Sequence, residues 1–102
     1  MKYHLAALAV AGLLAGAPAM ADQALAQKHA CMSCHQIDKK VVGPSFKDVA
    51  AKYKGDKTAQ DKLVAKVKAG GSGAWGPVPM PPNPQVPEAD VKSIVAWVLA
   101  IK

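Results

Sequence analysis

The sequence of 102 residues contains no arginine, only two cysteines and only five aromatic residues. Without arginine, the chain lacks the side chain preferred for bidentate recognition of phosphates and base edges, which argues against nucleic-acid binding. No segment shows a convincing strand pattern. The longest apolar run has roughly a dozen residues, short of the ~20 that a membrane-spanning helix needs. These absences favour a small helical domain that neither binds nucleic acid nor inserts stably into a membrane.

Both cysteines lie in one short motif, Cys31-Met32-Ser33-Cys34-His35. The pattern C-x-x-C-H is typical of covalent c-type haem attachment. Because residues three apart share a face of a helical turn, the two thiols can add across the two vinyl groups of a haem. His35 would then lie under the porphyrin and offer a nitrogen to the iron, while a second ligand, for which methionine is one option, comes from elsewhere. The motif predicts one covalent haem c with its iron.

The two cysteines have two other interpretations. A redox disulfide of the thioredoxin type needs a neighbouring βαβ pattern, which the sequence does not show. Half of a zinc site has no second cysteine pair to complete it, and His29 and His35 lie too close to the cysteines for the usual ligand spacing. His29 is most simply a surface residue of a helix. Haem attachment is therefore the favoured interpretation.

Residues 1–21 have the pattern of a secretory signal peptide. Lys2 gives a positive start, residues 5–17 are nearly all apolar, and Ala19-Met20-Ala21 has the small-x-small form of a cleavage site. An uncleaved anchor is the alternative. Cleavage would leave residues 22–102 as a single exported domain, 102 minus 21 or 81 residues long. A domain of this size usually needs stabilisation beyond its own hydrophobic core, and a buried haem would supply it.

Helical spacing and capping signals predict an all-α fold. Ser45-x-x-Asp48 and Thr58-x-x-Asp61 both resemble capping boxes with Asp in place of Glu. In the last helix, four apolar residues follow the spacing i, i+3, i+4, i+7 of a core stripe, namely Val91, Ile94, Val95 and Val98. The four expected helices run from Asp22 to about Cys34, from Ser45 to about Lys54, from Thr58 to about Ala69, and from about Pro87 to Ile101.

A segment rich in glycine and proline, residues 70–87, separates the last two helices. Such a segment can form neither a helix nor a central strand. Long loops of this kind are usually functional or disordered. Because Trp75, Val78 and Met80 are too apolar for a disordered linker, we expect a long packed loop.

With these motifs in place, residues 22–102 resemble the class I cytochromes c of bacteria, and among them the small cytochrome c-551 (cytochrome c8) type. The resemblance implies a four-helix fold wrapped around one covalent haem, in a periplasmic monomer that carries single electrons. It rests on the haem motif 31–35, Val42-Gly43-Pro44, Lys47-Asp48-Val49-Ala50, Trp75-Gly76-Pro77-Val78-Pro79-Met80-Pro81-Pro82-Asn83 and Trp97-Val98-Leu99.

The resemblance implies roles for residues around the iron. Met80 is similar to the sulfur ligand opposite His35, and its proline-rich loop would hold the sulfur in place. Met32, inside the haem motif, is the only other methionine of residues 22–102 and is expected to pack. The carbonyl of Pro44 would accept the other ring N–H of His35 and fix its orientation. Asn83 resembles a side chain that hydrogen-bonds near the Met sulfur, although it could also be a simple turn residue.

The resemblance also implies residues for the haem propionates. Trp75 is similar to an indole that donates a hydrogen bond to a propionate, with core packing as the alternative. Relatives commonly have an arginine beside it, and the matching position here is Lys66. A lysine keeps the charge and loses the planar fork of arginine.

The resemblance implies a carrier that passes single electrons from a respiratory donor to periplasmic or membrane acceptors such as nitrite reductase, peroxidase or terminal oxidase. One rival is a haem enzyme or gas sensor in which Met80 leaves the iron. Residues 70–87 contain no His, Asp or Glu to act as an acid or base there. A second rival is a dedicated subunit of a larger enzyme, which would need a broad apolar docking surface.

Lysines are concentrated in the first half of the expected mature chain. They could form a docking face for an acidic redox partner, or they could simply be a solvated surface. Those near the haem motif are Lys28, Lys39, Lys40, Lys47, Lys52 and Lys54.

Overall fold

The structure, a computed structural model, describes the backbone of residues 17–102 and the side chains of residues 22–102. Most of the expected signal peptide, residues 1–16, lies outside this range. The first helix, α1, spans Ala17–Lys28 and is continuous across the expected cleavage point after Ala21. The signal peptide stays a prediction.

The described part of the chain contains four α-helices, as expected, and the all-α prediction is confirmed. A two-stranded hairpin joins the last two helices. No helix among residues 17–102 is both long enough and apolar enough to cross a bilayer. In chain order the elements are α1 (Ala17–Lys28), a 3-10 turn (Cys31–Ser33), α2 (Phe46–Lys52), α3 (Ala59–Ala69), β1 (Gly71–Gly73), β2 (Gly76–Met80) and α4 (Glu88–Leu99).

Helix α4 is the centre of the fold because it packs against α1, α2 and α3. All four residues of its predicted core stripe are buried. Ile94 and Val98 contact one apolar cluster, whereas Val91 and Val95 belong to a second. Full burial of a valine side chain contributes roughly 1.5–3 kcal/mol. The buried partners are Ala26, Phe46 and Val49 in the first cluster and Val64 and Val86 in the second.

The first helix is shorter than predicted. We expected it to continue to about Cys34, but α1 ends at Lys28. Ala30 then adopts a left-handed backbone conformation with φ of 63°. This turns the chain, so that the haem motif begins as a separate 3-10 turn at an angle to α1. Helical periodicity could not reveal this break, because alanine favours helices.

His29, expected on the surface, lies at this break and is mostly buried. Its Nε2 atom is 3.0 Å from Oδ2 of Asp90, and 15% of the side chain is exposed. Asp90 belongs to the first turn of α4. The pair therefore fastens the end of α1 to the start of α4.

The two predicted capping boxes differ in outcome. Ser45 Oγ accepts a hydrogen bond from the backbone N–H of Asp48 at 3.0 Å, which starts α2 as predicted. Thr58 makes no such bond. Its hydroxyl and its N–H both donate to Oδ1 of Asp56, at 2.6 and 2.8 Å. These two bonds, together with one from Lys62, lower the pKa of Asp56 to about 2. The turn before α3 is therefore built around Asp56, and the prediction of a capping box at Thr58 was wrong.

The segment expected as a loop without strands forms an antiparallel hairpin. Gly71 pairs with Met80 and Gly73 pairs with Gly76. Prolines are tolerated in β2 because each strand of a two-stranded sheet has one unpaired edge. The expected absence of a central strand holds. Trp75 and Val78 of this segment, 43% and 61% exposed, both face the cavity described below.

Candidate functional site

One cavity of about 320 Å³ lies between the haem motif, α2, the hairpin and α4. Its walls include the buried apolar residues Phe46, Val49, Ile94 and Val95, so it offers an apolar surface to whatever it holds. Residues far apart in sequence thus meet at one place. All eight site residues singled out from the sequence line this cavity: Cys31, Cys34, His35, Pro44, Lys66, Trp75, Met80 and Asn83.

The two cysteines form no disulfide with each other and are half-buried in the wall of this cavity. The backbone N–H groups of Cys34 and His35 both donate to the carbonyl of Cys31, at 3.3 and 3.1 Å, which closes the turn that presents the motif. Burial raises the pKa of the Cys31 thiol. Within residues 17–102, no three His, Cys, Asp or Glu side chains converge as a metal cluster.

The ring of His35 is fixed from three directions. Its Nδ1 atom donates to the carbonyl of Pro44 at 2.8 Å, the contact that the resemblance implies. Phe46 stacks on the ring with centroids 5.0 Å apart and an interplanar angle of 20°. Gly43 provides space, since a Cβ there would lie 2.5 Å from Cε1 of His35. With the proton on Nδ1, the lone pair of Nε2 is available to a metal.

Phe46 and Gly43 are site residues that the sequence interpretation missed. Phe46 is the only phenylalanine of the chain, and it packs edge-on against Trp97 with centroids 5.5 Å apart. It therefore joins the His35 ring to the core. Gly43 was noted only as part of the resembling stretch Val42-Gly43-Pro44, with no role of its own. Neither contact is visible in a linear pattern, because both depend on how the chain folds back after the motif.

Met80 ends β2 and is half-buried in the cavity wall. The segment after it is anchored by Asn83, whose N–H donates to the carbonyl of Val67 at 3.0 Å. Nδ2 of Asn83 approaches the carbonyls of Val67 and Pro81, at 3.3 and 3.1 Å. Asn83 thus bonds to backbone carbonyls, and no hydrogen bond to the Met80 sulfur is found among the described residues.

Trp75 and Lys66 lie along the part of the cavity wall formed by α3 and the hairpin. Nζ of Lys66 lies against Gly71, 3.1 Å from where a Cβ would be. Lys52 fastens the hairpin to α2, because its Nζ donates to the carbonyl of Ala74 at 2.8 Å and lies 4.6 Å from the centre of the Trp75 ring. This role of Lys52 was not predicted; it was counted only as one of the basic surface residues.

The side chains that line this cavity are those that a covalently bound haem requires. An apolar cavity, two thiols on one turn, an imidazole nitrogen with a free lone pair and a thioether on a different chain segment are what covalent attachment and axial ligation of a haem require. Four helices around such a site define a class, the small all-α haem proteins with a C-x-x-C-H motif.

Comparisons with known proteins agree with this class. The cytochrome c family model matches residues 19–102. Cytochrome c-551 of Allochromatium vinosum is 60% identical over 83 residues, covering 81% of this chain and 88% of that protein. Cytochrome c-552 of Nitrosomonas europaea is 47% identical over 98 residues, covering 96% and 95%. The crystal structure of wild-type Nitrosomonas europaea cytochrome c552 superposes with a TM-score of 0.76 at 49% identity, covering 78% of this chain and 99% of that one.

The chain therefore belongs to the cytochrome c family, and within it to the small class I cytochromes of the c-551 type. Its cofactor is covalently bound haem c with its iron, as the motif predicts. Its relatives of this type are electron carriers, and covalent attachment of the haem uses both thiols, which excludes the thioredoxin-like and zinc interpretations of the cysteine pair.

Proposed function

We propose that this protein is a periplasmic carrier of single electrons in which His35 and Met80 are the two axial ligands of the iron. One observation carries the proposal. A histidine with its Nδ1 proton held by the Pro44 carbonyl and a methionine from a distant segment line the same cavity as both cysteines. Haem c supplies the Fe(III)/Fe(II) couple.

The residues of this chain bind and orient that group. Cys31 and Cys34 would form the two thioether bonds, and His35 would give its Nε2 lone pair to the iron. The hydrogen bond to Pro44 and the stacked Phe46 ring hold the imidazole plane, so that little rearrangement accompanies a change of charge on the metal. Met ligation raises the reduction potential relative to other axial sets.

Further residues would hold the haem periphery. Trp75 would donate its indole N–H to a propionate, and Lys66 would neutralise part of the propionate charge. Support comes from their place in the same cavity wall and from Lys52, which steadies the Trp75 ring. Lys66 acts as a point charge without the bidentate geometry of arginine. Asn83 would secure the Met80 segment through Val67 rather than by bonding the sulfur.

Two filled axial positions favour a carrier over an enzyme. A catalytic haem needs an open coordination position and, for most reactions, a nearby acid or base. Residues 70–87, which form the Met80 side of the site, contain no His, Asp or Glu. We therefore propose that the protein has no catalytic activity of its own and works as a monomer with other redox proteins.

We also propose a location and partners for this carrier. Residues 1–21 would direct export and be removed, leaving residues 22–102 in the periplasm. A respiratory donor would reduce the protein, and acceptors such as nitrite reductase, peroxidase or a terminal oxidase would oxidise it. The lysines around the haem motif would favour acidic partners. The described chain also has exposed apolar residues at the cavity rim, Val42, Trp75 and Val78, which a docked partner could cover.

The substitution Met80→Ala tests the ligand assignment. It should abolish the weak sulfur-to-iron absorption band of the ferric protein, lower the midpoint potential and allow imidazole to bind the iron. Met32→Leu is the matched control, because Met32 is the only other methionine of residues 22–102. The control should keep both the band and the potential. Survival of the band in the Met80→Ala protein would show that another group is the ligand.

A further inference from the structure

Gly70 occupies a backbone position that a side chain could not share. It ends α3 with φ of 73° and ψ of −168°, and its N–H donates to the carbonyl of Lys66 at 2.7 Å. A residue with a side chain rarely adopts a positive φ. A Cβ at Gly70 would also lie 2.5 Å from the carbonyl oxygen of Met80, 2.7 Å from the nitrogen of Pro82 and 3.0 Å from the carbonyl carbon of Pro81.

All three of these neighbours are backbone atoms, so none can swing aside as the end of a side chain would. They belong to the three consecutive residues Met80, Pro81 and Pro82. The segment that carries the proposed sulfur ligand therefore passes directly over the α-carbon of Gly70. Only a residue without Cβ permits this approach.

The remaining attachments of this segment lie on either side of the same point. Before it, Gly71 pairs with Met80 in the hairpin. After it, the N–H of Asn83 donates to the carbonyl of Val67 at 3.0 Å. Pro81 and Pro82 have no N–H and cannot donate a hydrogen bond themselves. The contact at Gly70, together with the hydrogen bond from Nδ2 of Asn83 to the Pro81 carbonyl at 3.1 Å, thus locates the backbone between these two attachments.

We propose that Gly70 is a positioning residue for the axial ligand. Because Gly70 lets the backbone of Met80–Pro82 contact the C-terminal end of α3 directly, it sets how far the Met80 sulfur reaches into the cavity. This inference rests on the proposed ligation by Met80. Gly70 contacts the backbone of the ligand segment, so it acts on the iron only through Met80.

The substitution Gly70→Ala should push Met80–Pro82 away from α3. The sulfur would then bind the iron less strongly, and the ferric sulfur-to-iron band should weaken. Since an added imidazole competes with the sulfur for the iron, its apparent affinity should rise about tenfold or more. The midpoint potential should fall toward that of the Met80→Ala protein.

Gly55→Ala is the matched control. Gly55 has a similar positive φ of 83°, but a Cβ there would meet no atom within 4 Å. Both substitutions impose backbone strain, and only the one at Gly70 adds the collision with the ligand segment. Gly55→Ala should therefore lose stability while its sulfur-to-iron band, potential and imidazole affinity stay those of the unsubstituted protein.

Three variants measured together separate the two proposals. If Met80→Ala keeps the band, the proposed ligation itself is wrong. If Met80→Ala loses the band but Gly70→Ala and Gly55→Ala bind imidazole equally well, ligation stands and the role of Gly70 is overturned. A Gly70→Ala protein with a weaker band and tighter imidazole binding than Gly55→Ala supports it.

A measurement on the unsubstituted protein applies even if Gly70→Ala fails to accumulate. Imidazole at saturation should displace the Met80 sulfur from the iron and weaken the contact of Met80–Pro82 with Gly70 at the end of α3. Amide hydrogen exchange of Asn83, bonded to Val67, should then accelerate at least tenfold, whereas the amide of Tyr53, bonded to Val49 at 3.1 Å, should not change. Unchanged exchange at Asn83 would show that the contact of Met80–Pro82 with α3 does not depend on ligation of the iron by Met80.

Discussion

At the scale of single residues, the orientation of His35 is determined by groups that never touch the iron. The Pro44 carbonyl accepts a hydrogen bond from the Nδ1–H of His35 at 2.8 Å, the Phe46 ring stacks on the imidazole with centroids 5.0 Å apart, and Gly43 leaves room for the ring edge. A hydrogen-bonded imidazole is a better electron donor to a metal than a free one. With His35 as the proposed ligand, these contacts would help to set the stability of the oxidised iron.

The substitution Gly43→Ala should disturb this arrangement. Its Cβ would lie 2.5 Å from Cε1 of His35, so the ring must turn and its bond to Pro44 must lengthen. A weaker donor stabilises the ferric iron less, and the midpoint potential should rise. Protein-film voltammetry measures this shift. Gly55→Ala, which lies outside the cavity and where a Cβ meets nothing within 4 Å, is the control and should leave the potential in place. An unshifted potential in Gly43→Ala would mean that the ring is not constrained there.

The sequence could predict the chemistry of these residues better than their surroundings. The spacing of Cys31, Cys34 and His35 is itself the signal for haem attachment, and it needs no knowledge of the fold. Gly43, Phe46 and Gly70 matter because of which atoms approach them in space. Such contacts produce no repeating pattern in the sequence, so only the folded structure shows them.

At the scale of elements, α4 is the part that the sequence specified most fully. Its i, i+3, i+4, i+7 stripe allows only one buried face, and the structure buries all four residues. The end of α1 and the hairpin were harder to predict. The left-handed Ala30 and the pairing of Gly71 with Met80 depend on tertiary contacts that outweigh local preference.

Truncation of the α4 stripe should destabilise the whole domain. Val91 is fully buried, with 0% of its surface exposed, so Val91→Ala removes two buried carbons and leaves a cavity. We expect a loss of about 2–3 kcal/mol in the free energy of unfolding. Guanidinium titration followed by far-UV circular dichroism measures it. Val41→Ala makes the same chemical change at a site that is 47% exposed and does not line the cavity, and it should cost less than about 0.5 kcal/mol. Equal losses at the two sites would contradict the assigned core.

At the scale of the whole molecule, the charge distribution is what a partner meets first. The chain has 13 lysines against 7 acidic residues, and the six lysines near the haem motif are all exposed. Lys40 lies at the cavity wall itself, close to Val42. An excess of one charge beside the site of electron exit attracts a partner of opposite charge and raises the encounter rate.

Salt dependence tests this electrostatic steering. The Debye length shrinks from about 30 Å at 0.01 M to about 10 Å at 0.1 M salt, so the bimolecular electron-transfer rate with an acidic acceptor should fall steeply over this range. Replacing both Lys39 and Lys40 by Gln should flatten the dependence and leave the midpoint potential nearly unchanged. An electron-transfer rate that does not change with salt concentration would show that docking depends on the apolar rim of Val42, Trp75 and Val78 instead.

The central claim is that His35 and Met80 fill both axial positions of the iron, which makes the protein a carrier and not an enzyme or a gas sensor. Addition of carbon monoxide to the reduced, unsubstituted protein at neutral pH tests this most directly. We predict that the visible absorption spectrum of the ferrous haem stays unchanged, because the sulfur of Met80 occupies the position that carbon monoxide needs. Rapid formation of a carbon monoxide complex would show an open or weakly held sixth position and would contradict the account.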